Sequence, residues 1–473
     1  MPKSSLKELF EPSSLAVIGA SSNPAKIGHE VLRNIIEGGY RGRIFPVNPR
    51  TPEILGLKAY ASVEMIPVPV DLAIVAIPSA FVPGVMEECA EKGVKAAIII
   101  SGGFREVGKE GKRLEESLKE IAVKSGIRIV GPNCQGVNVP SSGLAATFGG
   151  FARKPGSIAV ISQSGTVGAA VQCWADREGL GISKCINLGN KVDVDEVDLI
   201  EYLEEDDDTR VIAIYVEGLR DGRAFMDAAL QVGRIKPIVL LKSGRTDAGM
   251  KAVLSHTASL AGSYEVFKAA MGQVGVVTAN SLEELYDFAK AFSLLQLPLG
   301  RGVLMIESTG GAGILAVDQC DRLGLRLPEL DERAVSRLRR NLSETVVFSN
   351  PFDLTSEALN PENYRMVIEE NSSNCEFHAY ITIFGDPIPG AAEIVKEASD
   401  GTDKPIIVIY VGGGDVEERE KAKMHSLGIP VFPSPERGVK ALGALVQYSE
   451  SLRNREGRLF FNIMEDGLLG RSI

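Results

Sequence analysis

Residues 157–171 read SIAVISQSGTVGAAV, an apolar strand pattern that runs through a Ser/Gly/Thr turn into a helix of small residues. Residues 303–324, VLMIESTGGAGILAVDQCDRLG, repeat the same order of strand, glycine-rich turn and helix. A strand that leads directly into a helix is typical of βαβ units, in which helices cover a parallel sheet. The two stretches therefore predict an α/β fold with at least two domains.

Short β-branched runs alternate with segments of helical period through almost the whole chain, which predicts doubly wound domains. In the first block we expect strands at 15–20, 43–48, 71–78, 96–103 and 127–133, and helices at 28–37, 82–92 and 109–125. In the second block we expect strands at 157–162, 182–188, 210–218, 237–244 and 275–279, followed by a helix at 281–295. In the third block we expect strands at 303–311, 379–385, 405–414 and 429–434.

Two interruptions of this alternation predict the domain boundaries. A Gly/Ser/Pro-rich stretch runs from Pro140 to Gly156, and QLPLGRG at 296–302 is typical of a linker. We therefore predict domains at 1–146, 147–297 and 298–455, and a C-terminal tail at 456–473 that has no clear period and is a candidate arm for docking a partner. The fold class is α/β, with three doubly wound domains and mainly parallel sheets.

Composition excludes several classes of protein. The 473 residues are 44% apolar and 24% charged, as in average globular chains. The net charge of −11 argues against nucleic acid or an anionic membrane as a partner. The six cysteines are scattered without CxxC, which predicts no metal site and a reduced, cytoplasmic location. No signal sequence and no apolar run of about 18 residues is present, so we expect neither export nor membrane insertion.

The loops after the strands of the first domain are the first candidate binding residues, because ligands of parallel sheets bind at the carboxyl ends of strands. The loop GASSNPAKIG (19–28) lacks GxGxxG, and Asn48 stands where a dinucleotide site would have an acid, which disfavours a nicotinamide-dependent oxidoreductase. Hydrogen-bond donors and cations in these loops instead suit a ribose phosphate and a pyrophosphate. They are Ser21, Ser22, Asn23, Lys26 and Arg50, and Asn48 is a further candidate of this group. The alternative is a βα turn with incidental surface cations.

Three further strands of the same sheet end in small or turn-forming residues, in IPSAF (77–81), ISGGF (100–104) and VGPNCQG (130–136). We expect these loops to line one crevice with the first loop. The candidates there are Pro78, Ser101, Gly102, Asn133 and Cys134. Cys134 has two interpretations, a neighbour of a reacting thiol or a small buried apolar residue.

The helix starts of the second and third domains are candidate anion sites, since exposed N–H groups at a helix N-terminus attract negative charge. In the second domain the hydroxyls of Ser162, Ser164 and Thr166 can add donors. Such turns also serve as simple N-caps. The third domain repeats the arrangement, with NPFDLT (350–355) and FGDP (384–387) at neighbouring strand ends.

His256, in VLSHTASLAGS (253–263), is flanked by hydroxyl and small residues. No second ligand stands beside it at metal-binding spacing, so we interpret it as a nucleophile, the alternative being an ordinary packed or surface histidine. A nucleophilic imidazole needs a carboxylate that holds its tautomer. Glu217, at the end of the apolar strand VIAIYVEG, is the candidate; the alternative is that it pairs with a cation such as Arg220.

GPNCQG, SQSGT, the strand ending in Glu217 and SHTASLAG occur in this order across residues 131–262. Together they resemble the succinyl-CoA synthetase superfamily, the nucleoside-diphosphate-forming acyl-CoA synthetases, over residues 10–455. The third domain resembles one that the β subunit carries in succinyl-CoA synthetase. The arrangement is similar to α subunits of ADP-forming acetyl-CoA (acyl-CoA) synthetases.

The resemblance implies a Rossmann-like CoA-binding domain followed by two flavodoxin-like ligase domains. It implies that phosphate attacks an acyl-CoA to give an acyl phosphate, that His256 is phosphorylated and steadied by Glu217, and that ADP then receives the phosphoryl group. ADP or ATP with Mg²⁺ would bind a β subunit with an ATP-grasp domain, in an α2β2 assembly. The acid would be acetate or a related carboxylic acid. The phosphate would face Gln163, Ser164, Gly165, Thr309, Gly310, Gly311 and Ala312. The alternative is a non-catalytic CoA-binding or regulatory protein.

Overall fold

The computed structural model describes the backbone of residues 6–257 and 263–469, and the side chains of residues 6–253 and 263–455. The chain divides into two compact units, Met1–Leu282 and Glu283–Ile473. Within the described residues, helices and strands alternate in both units, and most strands of each unit pair in parallel. No helix in that part of the chain combines the length and apolar content that a membrane crossing requires.

The elements of unit 1 follow the alternation that the sequence predicts. In chain order they are α1 (Lys7–Phe10), β1 (Ser14–Ile18), α2 (Ile27–Gly38), β2 (Arg43–Val47), β3 (Glu53–Ile54), β4 (Leu57–Lys58), β5 (Leu72–Val75), α3 (Val82–Glu91), β6 (Ala96–Ile99), α4 (Lys109–Ser125), β7 (Arg128–Val130), β8 (Gly136–Val139), β9 (Leu144–Thr147), β10 (Pro155–Ser162), α5 (Gly165–Arg177), β11 (Ile182–Asn187), α6 (Glu196–Glu204), β12 (Val211–Val216), α7 (Gly222–Val232), β13 (Ile238–Lys242), α8 (Asp247–Thr257), α9 (Tyr264–Gln273), β14 (Val277–Ala279) and the start of α10 (Leu282–Leu294).

The first sheet of unit 1 has the strand order β2-β1-β5-β6-β7, and all four pairings are parallel. The chain leaves β1 toward one edge and returns to build the other, so the order reverses between β1 and β5. In doubly wound sheets this switch point opens a crevice at the carboxyl ends of the strands. The sheet therefore places a ligand crevice between the loops that follow β1 and β5.

The second sheet of unit 1 has the order β14-β13-β12-β10-β11-β8-β9. Its central strands are parallel, whereas β8 and β9 are antiparallel additions at one edge. These two strands span residues 136–147, so the predicted segment 1–146 contains strands that pair in the second sheet. Buried residues of both sheets, such as Val17 and Ile161, belong to one hydrophobic cluster, which explains why unit 1 is compact as a whole.

Unit 2 is a five-stranded parallel sheet with the order β16-β15-β17-β18-β19, covered by helices. Buried apolar residues from its strands and helices pack in one cluster. Its helix α10 lies in the predicted segment 147–297, yet all but its first residue belong to unit 2. The remaining elements are β15 (Val303–Glu307), α11 (Gly310–Arg322), α12 (Glu332–Leu338), β16 (Phe352–Asp353), α13 (Glu362–Glu370), β17 (Ala379–Phe384), α14 (Ala391–Asp400), β18 (Ile406–Tyr410), α15 (Asp415–Ser426), β19 (Val431–Phe432) and α16 (Pro435–Leu469).

Helix α16 extends into the predicted C-terminal tail. It continues as one helix of 35 residues from Pro435 to Leu469, through most of the segment 456–473. Residues 436–469 contain no proline, and the Leu, Met, Glu and Arg residues of the segment 456–469 favour a helix. Because the apolar residues of this segment show only a weak helical period, the sequence pattern did not predict the helix that the residue propensities favour. The α/β class with mainly parallel sheets is confirmed.

Candidate functional site

The loops at the carboxyl ends of the first sheet pack side by side. A Cβ at Gly19, after β1, would overlap the backbone of Ala76, after β5, so these loops approach too closely for any side chain. In the same way Gly103, after β6, lies against the side chain of Ser79, and Gly102 lies against Asn133, after β7. The loops at four successive strand ends therefore form one continuous edge, as the sequence predicts.

The predicted binding residues of the first domain differ in how far solvent reaches them. Ser21, Asn48 and Ser101 are half-buried, and Cys134 is buried. The remaining candidates are exposed at this edge; they are Ser22, Asn23, Lys26, Arg50, Pro78, Gly102 and Asn133. Lys26 and Arg50 are the two cations among the predicted residues, so they provide the positive charge that an anionic ligand needs.

Several of these polar side chains order the loops themselves. The Asn48 amide donates to the carbonyl of Ala20 at 2.8 Å, and its Oδ1 accepts the N–H of Arg50 at 2.8 Å. The Ser101 hydroxyl donates to the carbonyl of Ile77 at 2.5 Å and accepts the N–H of the same residue at 3.1 Å. Asn48 and Ser101 thus fasten neighbouring loops to each other, which holds Arg50 at the edge of the crevice.

Cys134 has the surroundings of a structural residue. Its thiol donates to the carbonyl of Ile99 at 3.3 Å, and burial raises the pKa of this thiol to about 12. A thiol with such a pKa carries almost no thiolate at neutral pH and is a poor nucleophile. Of the two interpretations, the small buried residue fits this geometry.

A second cluster of polar residues lies in unit 1 at the start of α5, and it is connected to the first edge. The Asn133 amide donates to Oδ1 of Asn190 at 3.4 Å, and a Cβ at Gly189 would overlap the backbone of Asn133. Residue 190 precedes Lys191, which reaches Gln163 at the start of α5. The loop 188–191 therefore joins the crevice of the first sheet to the carboxyl end of the second.

Helix α5 begins at Gly165 with Ser164 as its N-cap, and the Ser164 side chain makes no capping hydrogen bond. Instead, the hydroxyls of Ser164 and Thr166 lie 3.2 Å from each other, and the Ser162 hydroxyl donates to the carbonyl of Ser164 at 2.6 Å. Uncapped N–H groups and two hydroxyls at a helix N-terminus are suited to an oxyanion.

The Gln163 amide has its orientation set by three donors. Its Oε1 accepts the backbone N–H groups of Glu217 at 2.8 Å and Gly218 at 3.3 Å, and the Lys191 ammonium at 3.4 Å. Only the carbonyl oxygen can accept these bonds, so Nε2 takes the other position. The residue is 5% exposed, and among the described residues this Nε2 has no hydrogen-bond partner. A buried amide N–H without an acceptor is costly and suits a bound oxyanion.

Lys191 is a residue of this cluster that the sequence analysis did not identify. Its Nζ donates to Oε1 of Glu196 at 2.8 Å and to the carbonyl of Gly218 at 2.7 Å, and both members of the Lys191–Glu196 ion pair are buried. Lys191 also adopts a φ of 58°, which is unusual for a residue other than glycine. Strained backbone conformations are typical of functional sites, and Lys191 is a buried lysine with such a conformation, three residues after a predicted strand. We therefore count it as a residue of the candidate site.

Glu217 directly follows β12 and is 5% exposed. Its carbonyl accepts the Nζ of Lys242, a buried lysine, at 2.7 Å. Burial lowers the pKa of Lys242, and the charge of Glu217 acts in the opposite direction. Arg220, the cation considered as its alternative partner, donates to the carbonyls of Lys191 at 2.9 Å and Asp193 at 3.0 Å.

His256 lies in the backbone of α8, whereas its side chain and residues 258–262 lie outside the described part of the chain. The proximity of His256 to Glu217 therefore stays a prediction. His29, another of the four histidines, is buried, with its Nδ1 2.9 Å from the carbonyl of Ser21. Among the described side chains, no group of His, Cys, Asp and Glu has the arrangement of a metal site.

The N-cap residue of α11, in unit 2, is Thr309, and its side chain makes no capping hydrogen bond. The next two residues, Gly310 and Gly311, are open to solvent. Beneath this helix start lies the carboxylate of Glu307, the last residue of β15, which the sequence analysis did not single out. A signal existed, because Glu307 ends an apolar strand just as Glu217 does.

Three family descriptions match successive parts of the chain. Residues 13–140 match a CoA binding domain, residues 155–292 a succinyl-CoA ligase like flavodoxin domain, and residues 303–454 a ligase-CoA domain. Together these matches span both compact units.

Two of the similar proteins are named ADP-forming acetate–CoA ligases. Acetate–CoA ligase [ADP-forming] I subunit alpha of Pyrococcus furiosus is 43% identical, over 94% of this chain and 98% of that protein. Acetate–CoA ligase [ADP-forming] I of Archaeoglobus fulgidus is 40% identical, and this chain covers 64% of its length.

Dinucleotide forming acetyl-coenzyme A synthetase 1 of Ca. Korarchaeum cryptofilum, solved with phosphate and ADP, is 36% identical with a TM-score of 0.89, over 95% of this chain and 97% of that one. The domain matches and the whole-chain comparison lead to the same family. The chain has a CoA-binding domain followed by two ligase domains, and it covers nearly all of a named α subunit. The chain therefore belongs to the family of ADP-forming acetate–CoA ligase α subunits.

Proposed function

We propose that this chain is the α subunit of an acid–thiol ligase that interconverts an acyl-CoA, ADP and phosphate with a carboxylic acid, ATP and CoA. The observation that carries the proposal is the Gln163 amide, whose buried Nε2 has no acceptor among the described residues and lies at the start of α5, next in the chain to the uncapped N-cap Ser164. The substrate that supplies such an acceptor is phosphate.

CoA would occupy the crevice of the first sheet. Lys26, in the loop after β1, and Arg50, in the loop after β2, are both exposed, and their charges would attract the phosphates of CoA. Ser21, Ser22, Asn23, Pro78, Ser101, Gly102 and Asn133 would form the walls. The loop 188–191 then connects this crevice to the start of α5, so a thioester at the end of the CoA arm would reach the phosphate site.

In the first step an oxygen of phosphate attacks the thioester carbonyl. The C–S bond breaks, and CoA leaves as a thiolate while an acyl phosphate forms. Gln163 and the N–H groups of Ser164 and Gly165 would stabilise the negative charge on the phosphoryl oxygens, which is the main task of a phosphoryl-transfer site. Thr309, Gly310, Gly311 and Ala312 would offer a second set of N–H groups in unit 2.

In the second step a ring nitrogen of His256 attacks phosphorus and the carboxylic acid leaves as carboxylate. Glu217 would accept the N–H of the other ring nitrogen, which selects the nucleophilic tautomer and stabilises the cationic ring that forms. The phosphohistidine then passes its phosphoryl group to ADP. We assign ADP and Mg²⁺ to a β subunit with an ATP-grasp domain, in an α2β2 assembly. The acid is acetate or a related small carboxylic acid.

The proposal is tested by incubating the purified chain with acetyl-CoA and ³²P-phosphate, with and without its β subunit and ADP. We expect acid-labile label on His256, and ATP only when the β subunit is present. His256→Ala should abolish both, whereas the control His425→Ala should retain both. Label on another histidine, or ATP made by the chain alone, contradicts the proposal. CoA binding without any label would instead support a non-catalytic CoA-binding protein.

A further inference from the structure

The starts of α5 and α11 are equivalent in sequence position, but the second has Glu307 where the first has Ser162. Strand β10 ends at Ser162, and α5 begins three residues later; strand β15 ends at Glu307, and α11 begins three residues later. Gly168 and Gly313 are the fourth residues of the two helices. A Cβ at Gly168 would lie 3.2 Å from the Ser162 side chain, and a Cβ at Gly313 would overlap the Glu307 carboxylate. Glu307 thus takes the place of Ser162.

The Glu307 carboxylate lies inside the first turn of α11, where the helix dipole is positive. The residue is 5% exposed, and among the described residues its Oε2 has no hydrogen-bond partner. Directly above it the helix start is open, because Cβ atoms at Gly310 and Gly311 would meet nothing within 4 Å. An accessible, uncapped helix start therefore has a buried, incompletely satisfied acid at its base.

The groups around Glu307 are mostly acidic or neutral. Asp353 is its partner across the β15–β16 pairing, and the charges of Glu307 and Asp386, after β17, both act on the hydroxyl of Tyr364 on α13. The backbone N–H groups of Thr309 and Gly313 favour the ionised form. Burial and, after it, the charge of Asp353 outweigh them and raise the pKa of Glu307 to about 7. Its charge therefore changes within the physiological range.

We infer that the start of α11 binds an oxyanion together with one proton, which Glu307 takes up. An ionised Glu307 already occupies the positive end of the helix and repels a second negative charge, whereas a neutral Glu307 leaves the N–H groups to the ligand. The proton comes from solvent, and no other bond is made or broken. The inference rests on the proposed function only for the class of ligand, a phosphate or carboxylate group.

The test uses sulfate, because sulfate keeps its double charge between pH 5.5 and 8.5 and phosphate does not. Isothermal titration of the full chain with sodium sulfate, in two buffers of different ionisation enthalpy, measures the protons taken up per sulfate. At pH 8 we expect the site at the start of α11 to take up nearly one proton per bound sulfate. At pH 5.5 we expect almost no uptake. Above about pH 7 the affinity of that site should fall by up to tenfold per pH unit.

Three variants make the result specific. Glu307→Gln keeps the size and should abolish both the proton uptake and the pH dependence. Asp353→Asn should move the onset of uptake to lower pH, since it removes the neighbouring charge. Glu332→Gln, an exposed acid in the same unit, should behave as the parent. The inference is overturned by absence of sulfate binding at pH 6, or by an uptake that survives Glu307→Gln. Neither readout depends on ligase activity, so failure of the proposed function would be seen separately.

Discussion

The side-chain carbonyl of Gln163 accepts the backbone N–H of Glu217 at 2.8 Å. This bond joins the start of α5 to the end of β12, so the residue proposed to contact phosphate also holds the residue proposed to orient His256. Because Oε1 is occupied in this way, the amide cannot rotate without losing three hydrogen bonds. The direction of its free N–H groups is thus fixed by the protein before any ligand binds.

Gln163→Glu should weaken the use of phosphate. A carboxylate offers no N–H and adds a negative charge beside a bound anion, and a lost hydrogen bond to a charged group costs about 1.5–3 kcal/mol. We expect the KM for phosphate to rise by roughly 10- to 150-fold, with the KM for acetyl-CoA within a factor of about three, in steady-state assays with the β subunit. Gln273→Glu, at an exposed position of α9, is the control. An unchanged phosphate KM contradicts the assignment.

Lys191→Met should destabilise unit 1. The ammonium pairs with Glu196 in a buried environment, and burial raises the pKa of Glu196 while Lys191 opposes the rise. Removal of one partner leaves an uncompensated buried charge, at a cost of about 3–5 kcal/mol. Urea unfolding, followed by circular dichroism, should show this loss. The double variant Lys191→Met, Glu196→Gln should recover much of it, and a single variant within about 1 kcal/mol of the parent would show that the pair is not coupled.

Lys26→Ala and Arg50→Ala should each weaken CoA binding more than phosphate use. Both cations are exposed in loops that follow neighbouring strands of the first sheet, Lys26 after β1 and Arg50 after β2, where charge-assisted bonds to CoA phosphates can form. We expect the Kd for CoA, measured by calorimetry, to rise by about tenfold for each, and less at high salt. Lys124→Ala, at the exposed end of α4, should have no effect. If both variants bind CoA with the affinity of the parent, the assignment of CoA to this crevice is wrong.

The sequence was sufficient for most strands and helices because strongly apolar runs of β-branched residues have few alternatives to a buried parallel strand. The strands β8 and β9 are not among the predicted strands, since β8 directly precedes the Gly/Ser/Pro-rich stretch 140–156 and β9 lies within it. Local pattern cannot tell which sheet a short strand joins; that depends on the distant partner β11, in which Cys185 pairs with Asn138 of β8. The part of α16 beyond residue 455 was not predicted for a different reason. Its residues favour a helix, but they lack a clear amphipathic period, which is the main sequence signal of a helix.

The candidate site was only partly visible in the sequence. Gln163 and Glu217 follow strands, so topology alone brings them to one edge, and the structure shows them bonded to each other. Lys191 and Lys242 were missed because their roles depend on burial and on backbone carbonyls far away in the chain. Glu307 was missed although it ends a strand, because its importance lies in what surrounds it and not in its spacing.

Glu217→Gln should slow phosphorylation of His256 and leave CoA binding unchanged. The amide keeps the shape and one acceptor oxygen but removes the charge that would stabilise a cationic ring. By comparison with other orienting carboxylates we expect a loss of about 10²–10⁴ in rate. Rapid-quench labelling with ³²P-phosphate measures this step directly. Asp221→Asn, at the N-cap of α7 four residues away, is a control for general effects on this loop. Labelling of the Glu217→Gln protein at the parental rate would leave the orienting role without support.

Glu307 should make the chain less stable as the pH rises from about 5 to 8. Its pKa is about 7 in the folded protein and close to 4.5 when unfolding exposes it, so in this range the folded state holds more protons. The free energy of unfolding therefore falls with rising pH, by at most about 3 kcal/mol for this group. Glu307→Gln removes the titration and should flatten this part of the profile, so that the variant gains on the parent toward pH 8. Thermal unfolding at half-unit steps of pH measures the difference between the two proteins. Parallel profiles would mean that Glu307 ionises as an ordinary glutamate, despite its burial and the nearby Asp353.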